Sequence, residues 1–349
     1  MDQCCKTNNP QTHVKPKAKH RLCEIDQLTG FAIVLVVIGH LVATDPPADN
    51  YWYEVLRYGI YKFHMPLFMF LSGIVFCHTL FSQYHWRAYC DWAARKILRL
   101  APGFIGIGLL IIIAKRFSGY FIHVDNPSTD LLTAIGHLFF SPSQSPSGSL
   151  WYIYVLLELY LIFPLLMPII EKSLWPILII TAYLHYLSTQ HIVSQWLMVR
   201  SFCEFSWYFY LGILARRNYT LFCHYTKQLR FISAGLFILS FLTTFIYPEK
   251  ISKSLIGLCS VPACFYWIGL LNCPWTSFLI WIGSYSFTIY LLNTIFIGTS
   301  KALLLKIMGW DGLNFLLFIL VMFSAGLFGS IYCHKWILSR IPYVNRVTR

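Results

Sequence analysis

The chain of 349 residues is 57% hydrophobic and only 12% charged, with a mean hydropathy of +0.59. Soluble globular domains carry about a quarter charged residues, so this composition excludes an ordinary soluble domain and points to a polytopic membrane protein. The formal net charge of +13 would suit a nucleic-acid binder, but the Lys and Arg residues fall mainly in short loops between apolar spans, which is a positive-inside pattern.

Residues 1–24 are polar and basic without a hydrophobic signal core, so they read as a tail and not as a cleaved leader. Apolar stretches near the ~20-residue length of a bilayer-crossing helix follow. They lie at about 25–43, 55–80, 100–116, 149–170, 174–188, 202–215, 230–247, 254–271, 278–299 and 313–334. The expected fold is all-α, one integral membrane bundle of about ten helices over residues 25–335, with a basic tail at 336–349. "LLTAIGHLFF" at 131–140 is too short to cross and is expected to lie in the interface or re-enter. The Pro- and Ser-rich "SPSQSPSGS" at 141–149 reads as an external loop. Ten spans place both termini on one side, which then holds 18 of the 27 Lys and Arg residues. Both termini are expected to be cytoplasmic, with Asp45, Asp49, Asp125 and Asp130 in outward loops. The eleven cysteines form no CxxC pair and no His/Cys cluster at metal-ligand spacing. Those in apolar spans (Cys203, Cys259, Cys264 and Cys333) are expected to behave as small hydrophobes.

"TGFAIVLVVIGH", residues 29–40, ends an apolar span on His40. An imidazole exchanges a proton near neutral pH and suits a general base toward a hydroxyl; an interfacial His bonded to a carbonyl is the alternative. His64, in "KFHMPLFMFLSG" at 62–73, is expected near the same boundary, so two imidazoles can meet across adjacent helices. Pro66 would occupy the first turn of a helix beginning near His64, and Ser72 with Gly73 would admit a close neighbouring helix. In "RKILRLAP", residues 95–102, Lys96 and Arg99 share a helical face and form a cationic cluster with Arg95. The cluster suits phosphates or simple anchoring at headgroups. Glu158 sits inside an apolar span, where a carboxyl is costly, so it is expected to face the bundle, be protonated or pair with a cation. Glu204 fits either an interface or a pocket. No GxSxG, P-loop, HExxH or Gly-rich dinucleotide motif is present, which leaves His and carboxylates for the chemistry and gives no metal site.

"IDQLTGFAIVLVVIGH", "FHMPLFMFLSG", "RKILRLAP" and "LWYIYVLLELYLIFP" occur in an order that resembles the acyltransferase-3 family of membrane acyltransferases over residues 24–164, and more loosely to about 335. The resemblance implies ten core helices, an acetyl donor in cytoplasmic acetyl-coenzyme A, and a bacterial inner membrane setting. By it, His40 matches an essential histidine, Lys96 and Arg99 a basic pair, and His64, Pro66, Ser72 and Gly73 a second-helix signature. Trp151, Tyr160 and Pro164 match the fourth-helix pattern. Two positions depart from it. Thr29 stands where members usually carry a cation, about 16 Å of helical rise below His40, and Leu156 stands where many have Glu. Arg21 or an arginine of another helix is a candidate substitute for the first, and Glu158 for the second, although Glu158 points about 200° away from Leu156.

The expected function is transfer of acetyl from acetyl-coenzyme A to a sugar hydroxyl of a surface glycan, lipopolysaccharide O-antigen or exopolysaccharide. His40 and His64 are the catalytic candidates, Arg95, Lys96 and Arg99 hold the donor, and Glu158, Trp151 and Tyr160 meet the acceptor. The expected partners are the lipid bilayer, the donor and a glycan or lipid-linked glycan; no nucleic acid is expected. The competing reading is a transporter or flippase for a lipid-linked or acylated sugar, with His40 and His64 relaying protons. A transporter would need no acetyl-coenzyme A.

Overall fold

The structure is a computed structural model that describes residues 23–42, 47, 49–81, 85–119, 130–246, 253–270 and 274–340. Most of both expected tails, and Asp45 and Asp125, lie outside the described residues. Among the described residues the regular structure is helical throughout. The chain runs α1 (Cys23–His40), α2 (Tyr51–Thr79), α3 (Trp86–Ser118), α4 (Leu131–Phe140), α5 (Trp151–Lys172), α6 (Trp175–Thr189) and α7 (Val199–Arg217). Then come α8 (Tyr219–Gln228), α9 (Arg230–Ile246) and α10 (Lys253–Cys264), which widens into a π-helical turn at Phe265–Leu270. The remainder is α11 (Thr276–Ser284), α12 (Ser286–Leu305) and α13 (Asn314–Ser324), the last joined through a π-helical turn at Ala325–Gly329 to α14 (Ser330–Trp336).

Among the described residues seven helical stretches are long and apolar enough to cross a bilayer, or eight if α8 and α9, bent by 72°, count as one broken span. The ten expected spans are not reached on this measure, for identifiable reasons. α6 has 15 residues, and α7 carries Arg200, Glu204, Arg216 and Arg217. α9 has 17 residues and counts only together with α8; the span expected at 278–299 is kept but displaced, because α11 ends before Tyr285 and the crossing helix is α12, Ser286–Leu305.

Lipid tails are as apolar as leucine, so helices in a membrane associate through close packing and interhelical hydrogen bonds. Gly73 of α2 faces Gly212 of α7, and a Cβ on either would lie 2.0 Å from a backbone oxygen of the other helix. Gly30 and Gly283 bring α1 and α11 together in the same way. Gly73 thus does what its size suggested. Hydrogen bonds lace the bundle at the end where α1 begins: Tyr219 Oη donates to Glu24 Oε1 (3.2 Å), Gln27 Nε2 to Thr276 Oγ1 (3.0 Å), and Thr288 meets His334 at 3.2 Å.

Three local expectations change. α2 begins at Tyr51, so Pro66 lies deep inside a helix of 29 residues and not in a first turn. Spanning helices tolerate such a proline because neighbours resupply contacts; here Gly257 of α10 packs on its ring. The basic cluster at 95–99 lies within α3, which has 33 residues, and Pro102 is also internal. The segment 141–149 is folded inward: Ser145 and Ser147 are buried, bond each other at 2.9 Å, and sit between short 3₁₀ turns at Pro142–Gln144 and Gly148–Leu150. α4, ten residues long, packs Leu138 on Gly108 of α3 and is capped by Asp130. The Thr133 hydroxyl and amide hold the Asp130 carboxyl below its ordinary range. The eight described cysteines are free thiols, with Cys203 and Cys264 buried.

Candidate active site

A helix ends with carbonyls that lack intrahelical partners, and α1 ends on His40. Side chains of α2 take these carbonyls. Tyr53 donates to Ile38 O, Tyr61 to Gly39 O (2.7 Å) and Arg57 to Val42 O (2.7 Å). Their i, i+4, i+8 spacing puts all three on one face of α2. Gly39 is required at this junction, since a Cβ there would stand 2.5 Å from the Tyr61 ring. The end of α1 is thereby clamped at a fixed height on α2.

His40 Nδ1 lies 2.9 Å from Asn293 Oδ1 of α12. Asn293 is fully buried, and its Nδ2 donates to Ile289 O (2.7 Å) and Tyr290 O (2.9 Å). With both amide hydrogens committed to carbonyls, Oδ1 serves as an acceptor and His40 Nδ1 as its donor. A neutral imidazole then carries its lone pair on Nε2. His64 has the same polarity: Nδ1 donates to Ile60 O at 2.8 Å, leaving Nε2 as the basic nitrogen. Its ring packs on Tyr61 at 5.2 Å between centroids, and His40 is close enough to act on it electrostatically. Tyr61 links the two histidine positions, with its hydroxyl on the carbonyl of Gly39, next to His40, and its ring on His64. Asn293 was not among the sequence candidates, although an amide inside "SFTIYLLNTIF" is a polar signal of the same kind as His40.

Beside this pair lies a cavity of about 170 Å³ whose walls include Thr29, Ser72, Lys96, Arg99, Leu156 and Tyr160. Lys96 is 8% exposed; its Nζ donates to Thr79 Oγ1 (3.1 Å) and lies over the rings of Trp92 (5.1 Å) and Tyr160 (4.8 Å). Arg99 stands on the exposed side of α3. Thr29 and Leu156, the two departures from the expected pattern, therefore face the same space as the cations. The cavity also touches Met65, next to His64, and Tyr290, one turn from Asn293. There two tyrosines of its wall, Tyr152 and Tyr290, pack edge to face at 5.3 Å. Tyr290 Oη accepts from the Tyr152 amide (3.2 Å) and donates to Ser149 O (2.5 Å). Ser72 Oγ donates to Phe68 O (2.8 Å), so at 2.7 Å from it Tyr152 Oη is the donor.

The other candidates are placed elsewhere. Arg95 is exposed on α3 and is not on the cavity wall. Glu158 faces away from the cavity toward Tyr154 and Cys203, with Oε2 buried and without a hydrogen-bond partner. Helical phase explains this, because Leu156 and Tyr160 hold the cavity face of α5. Trp151 packs on Phe205 of α7 at 5.3 Å, and Lys253 Nζ lies over that same Phe205 ring while gripping Glu204 Oε1 at 2.6 Å. Trp151 thus belongs to a second cluster and Tyr160 to the cavity. Among the described residues no group of three or more His, Cys, Asp or Glu is placed to hold a metal ion.

Comparison with known proteins agrees with this arrangement. Residues 24–335 match the acyltransferase-3 family, described as an acyltransferase domain, and the chain belongs to that family. It is similar to the nodulation protein NolL of Sinorhizobium fredii, 27% identical over 147 residues, a match covering 42% of this chain and 36% of that relative. No solved structure matches the chain.

Proposed function

We propose, with membership of this acyltransferase family as the premise, that the protein is a membrane O-acetyltransferase. It takes acetyl from acetyl-coenzyme A at the Lys96–Arg99 side and delivers it to a sugar hydroxyl of a surface glycan at the His40 end. In this reading it lies in the bacterial inner membrane with both termini cytoplasmic.

One observation carries the proposal: a cavity with Lys96 and Arg99 on its wall ends one residue from His64 and one helical turn from the Asn293–His40 pair. The fit to the donor is partial and specific. About 170 Å³ suits the slender thioester arm, while the bulkier nucleotide stays outside, where Arg99 is exposed. Lys96 and Arg99 bind phosphate oxygens through charge-assisted hydrogen bonds. The arm reaches toward the Tyr152–Tyr290 pair, and the hydroxyl approaches from the His40 end to meet it. His40 Nε2 removes the hydroxyl proton as the oxygen attacks the acyl carbonyl, with Asn293 holding the tautomer that makes Nε2 the base. Holding both substrates in one bundle supplies much of the acceleration by proximity.

The test measures O-acetyl groups on surface polysaccharide by NMR in cells making wild type, His40→Ala or no protein, with membrane abundance checked by blot. Acetyl signals with wild type that vanish with His40→Ala at equal abundance support the reading. Identical spectra from all three cell lines reject it in favour of transport or an inactive relative. Purified protein in vesicles with radiolabelled acetyl-coenzyme A gives the same discrimination without other cell components.

A further inference from the structure

A second polar pair, an imidazole and a hydroxyl, stands apart from His40. His185 of α6 lies with Nδ1 at 2.7 Å from the backbone oxygen of Glu204 in α7, and with Nε2 at 2.7 Å from Ser254 Oγ in α10. A carbonyl only accepts, so Nδ1 is the donor there. In the neutral ring Nε2 is then an acceptor, and the Ser254 hydroxyl points its proton at it. This is the polarity of an activated nucleophile: hydroxyl to base, base to an orienting acceptor. The opposite tautomer would have made Ser254 a mere acceptor. The imidazole is fixed further by Tyr208, edge-on at 5.5 Å, whose Oη donates to Ser254 O at 3.2 Å. Ser254 and His185 are both partly exposed, so the pair is reachable.

The pair is linked to the helix that carries His64. Gly257, one turn along α10 from Ser254, packs on Pro66, two residues from His64, and Lys253, adjacent to Ser254, acts electrostatically on His64. The bundle thus offers two bases, His185 for the chain's own Ser254 and His40 for the incoming hydroxyl.

We propose that Ser254 is an acyl-accepting nucleophile activated by His185, so that acyl transfer proceeds through an acyl-serine. This rests on the acyltransferase reading above. In the first step Ser254 Oγ attacks the thioester carbonyl and its proton passes to His185 Nε2. The C–S bond breaks, and the departing thiolate takes that proton to leave as the thiol. In the second step the acceptor hydroxyl, its proton drawn to His40, attacks the acyl-serine carbonyl. The bond to Ser254 Oγ breaks, and the proton that His40 took from the acceptor passes through solvent and His185 Nε2 to the leaving Ser254 Oγ, which returns both imidazoles to their neutral forms. Atoms and charge balance without any oxidant or further co-reactant.

The test uses full-length protein in detergent or vesicles. Radiolabelled acetyl-coenzyme A is added to wild type, His40→Ala, Ser254→Ala and His185→Gln, and the Ser254 peptide is read by mass spectrometry. Expected is acetyl on Ser254 that accumulates in His40→Ala, where the second step is blocked, and that is absent from the other two variants. Transfer to acceptor should fall about 10²-fold or more in Ser254→Ala and His185→Gln, with Ser254→Cys restoring acylation. A fluorophosphonate probe, which needs no donor, should label Ser254 in wild type and not in His185→Gln. If wild type transfers acetyl while Ser254→Ala keeps full activity and no label reaches Ser254, the acyl-serine is overturned and the acetyltransferase reading stands. If wild type transfers nothing, that reading fails, and the probe alone decides whether Ser254 is a nucleophile. Variants that lose the monodisperse peak of wild type in size exclusion are replaced by Ser254→Thr and His185→Asn, judged by the same two readouts.

Discussion

The bundle holds two lysines in opposite ways, one buried and one exposed. Lys96 rests on a hydroxyl and on the faces of Trp92 and Tyr160. Lys253 grips a carboxylate, Glu204, at 2.6 Å, a contact that an anion would have to break. Both lysines lie over aromatic rings, so proximity to aromatics does not separate them. What separates them is their setting: Lys96 is buried on the wall of the cavity, and Lys253, largely exposed, ties α10 to α7.

The comparison breaks most decisively at the group between the two regions. His40→Ala should lower the turnover number on the order of 10² to 10⁴-fold, the range for losing a general base, measured in vesicles at saturating donor. Asn293→Leu leaves His40 in place but removes the acceptor that sets its tautomer. It should cost roughly 10²-fold in kcat, the scale of a misplaced catalytic group, with the donor KM changed little; an equal rise in KM would mean that Asn293 shapes the cavity instead. Lys96→Met preserves stem and volume while removing the charge, and should raise the donor KM about 10- to 100-fold, as expected for charged hydrogen bonds worth about 1.5–3 kcal/mol. Glu204→Gln breaks the 2.6 Å ion pair but keeps the Glu204 carbonyl that holds His185. It should cost about 1 kcal/mol or less, read from thermal unfolding, and leave the donor KM unmoved. Arg95→Ala, on the exposed flank of α3, should shift donor KM by less than about two-fold; a shift matching that of Lys96→Met would put Arg95 in the phosphate site.

How much of this was legible in the sequence depended on whether the signal was local. His40, His64 and Lys96 announce themselves by polarity within apolar runs, and Gly73 by its size. Lys96 and Arg99 share a face by spacing alone. The Tyr53–Arg57–Tyr61 ladder was equally readable, because its period is four, yet its meaning depends on carbonyls in another helix. The Asn293–His40 contact joins residues 253 positions apart, and no local pattern encodes it. Tyr285 breaks a hydrophobic run inside "GSYS", 283–286, where one Gly and two Ser are the local signal of the break, weak against the apolar residues on either side. Ser145 and Ser147 have loop composition but are drawn inside by Tyr290, which bonds Ser149. Glu158 was the reverse case: its identity demanded attention, while its helical phase turns it from the cavity.

The paired rings of Tyr152 and Tyr290 carry a consequence for the cell and not only for catalysis. An energised membrane charges about 2.3 kcal/mol per elementary charge for every 100 mV, and any continuous thread of water through a protein spends that gradient. A cavity inside a spanning bundle is a place where such a thread could start. The two rings and their hydroxyls, held by Ser72 and Ser149, put packed aromatic surface on the cavity wall, the kind of barrier that keeps a thread of water from forming.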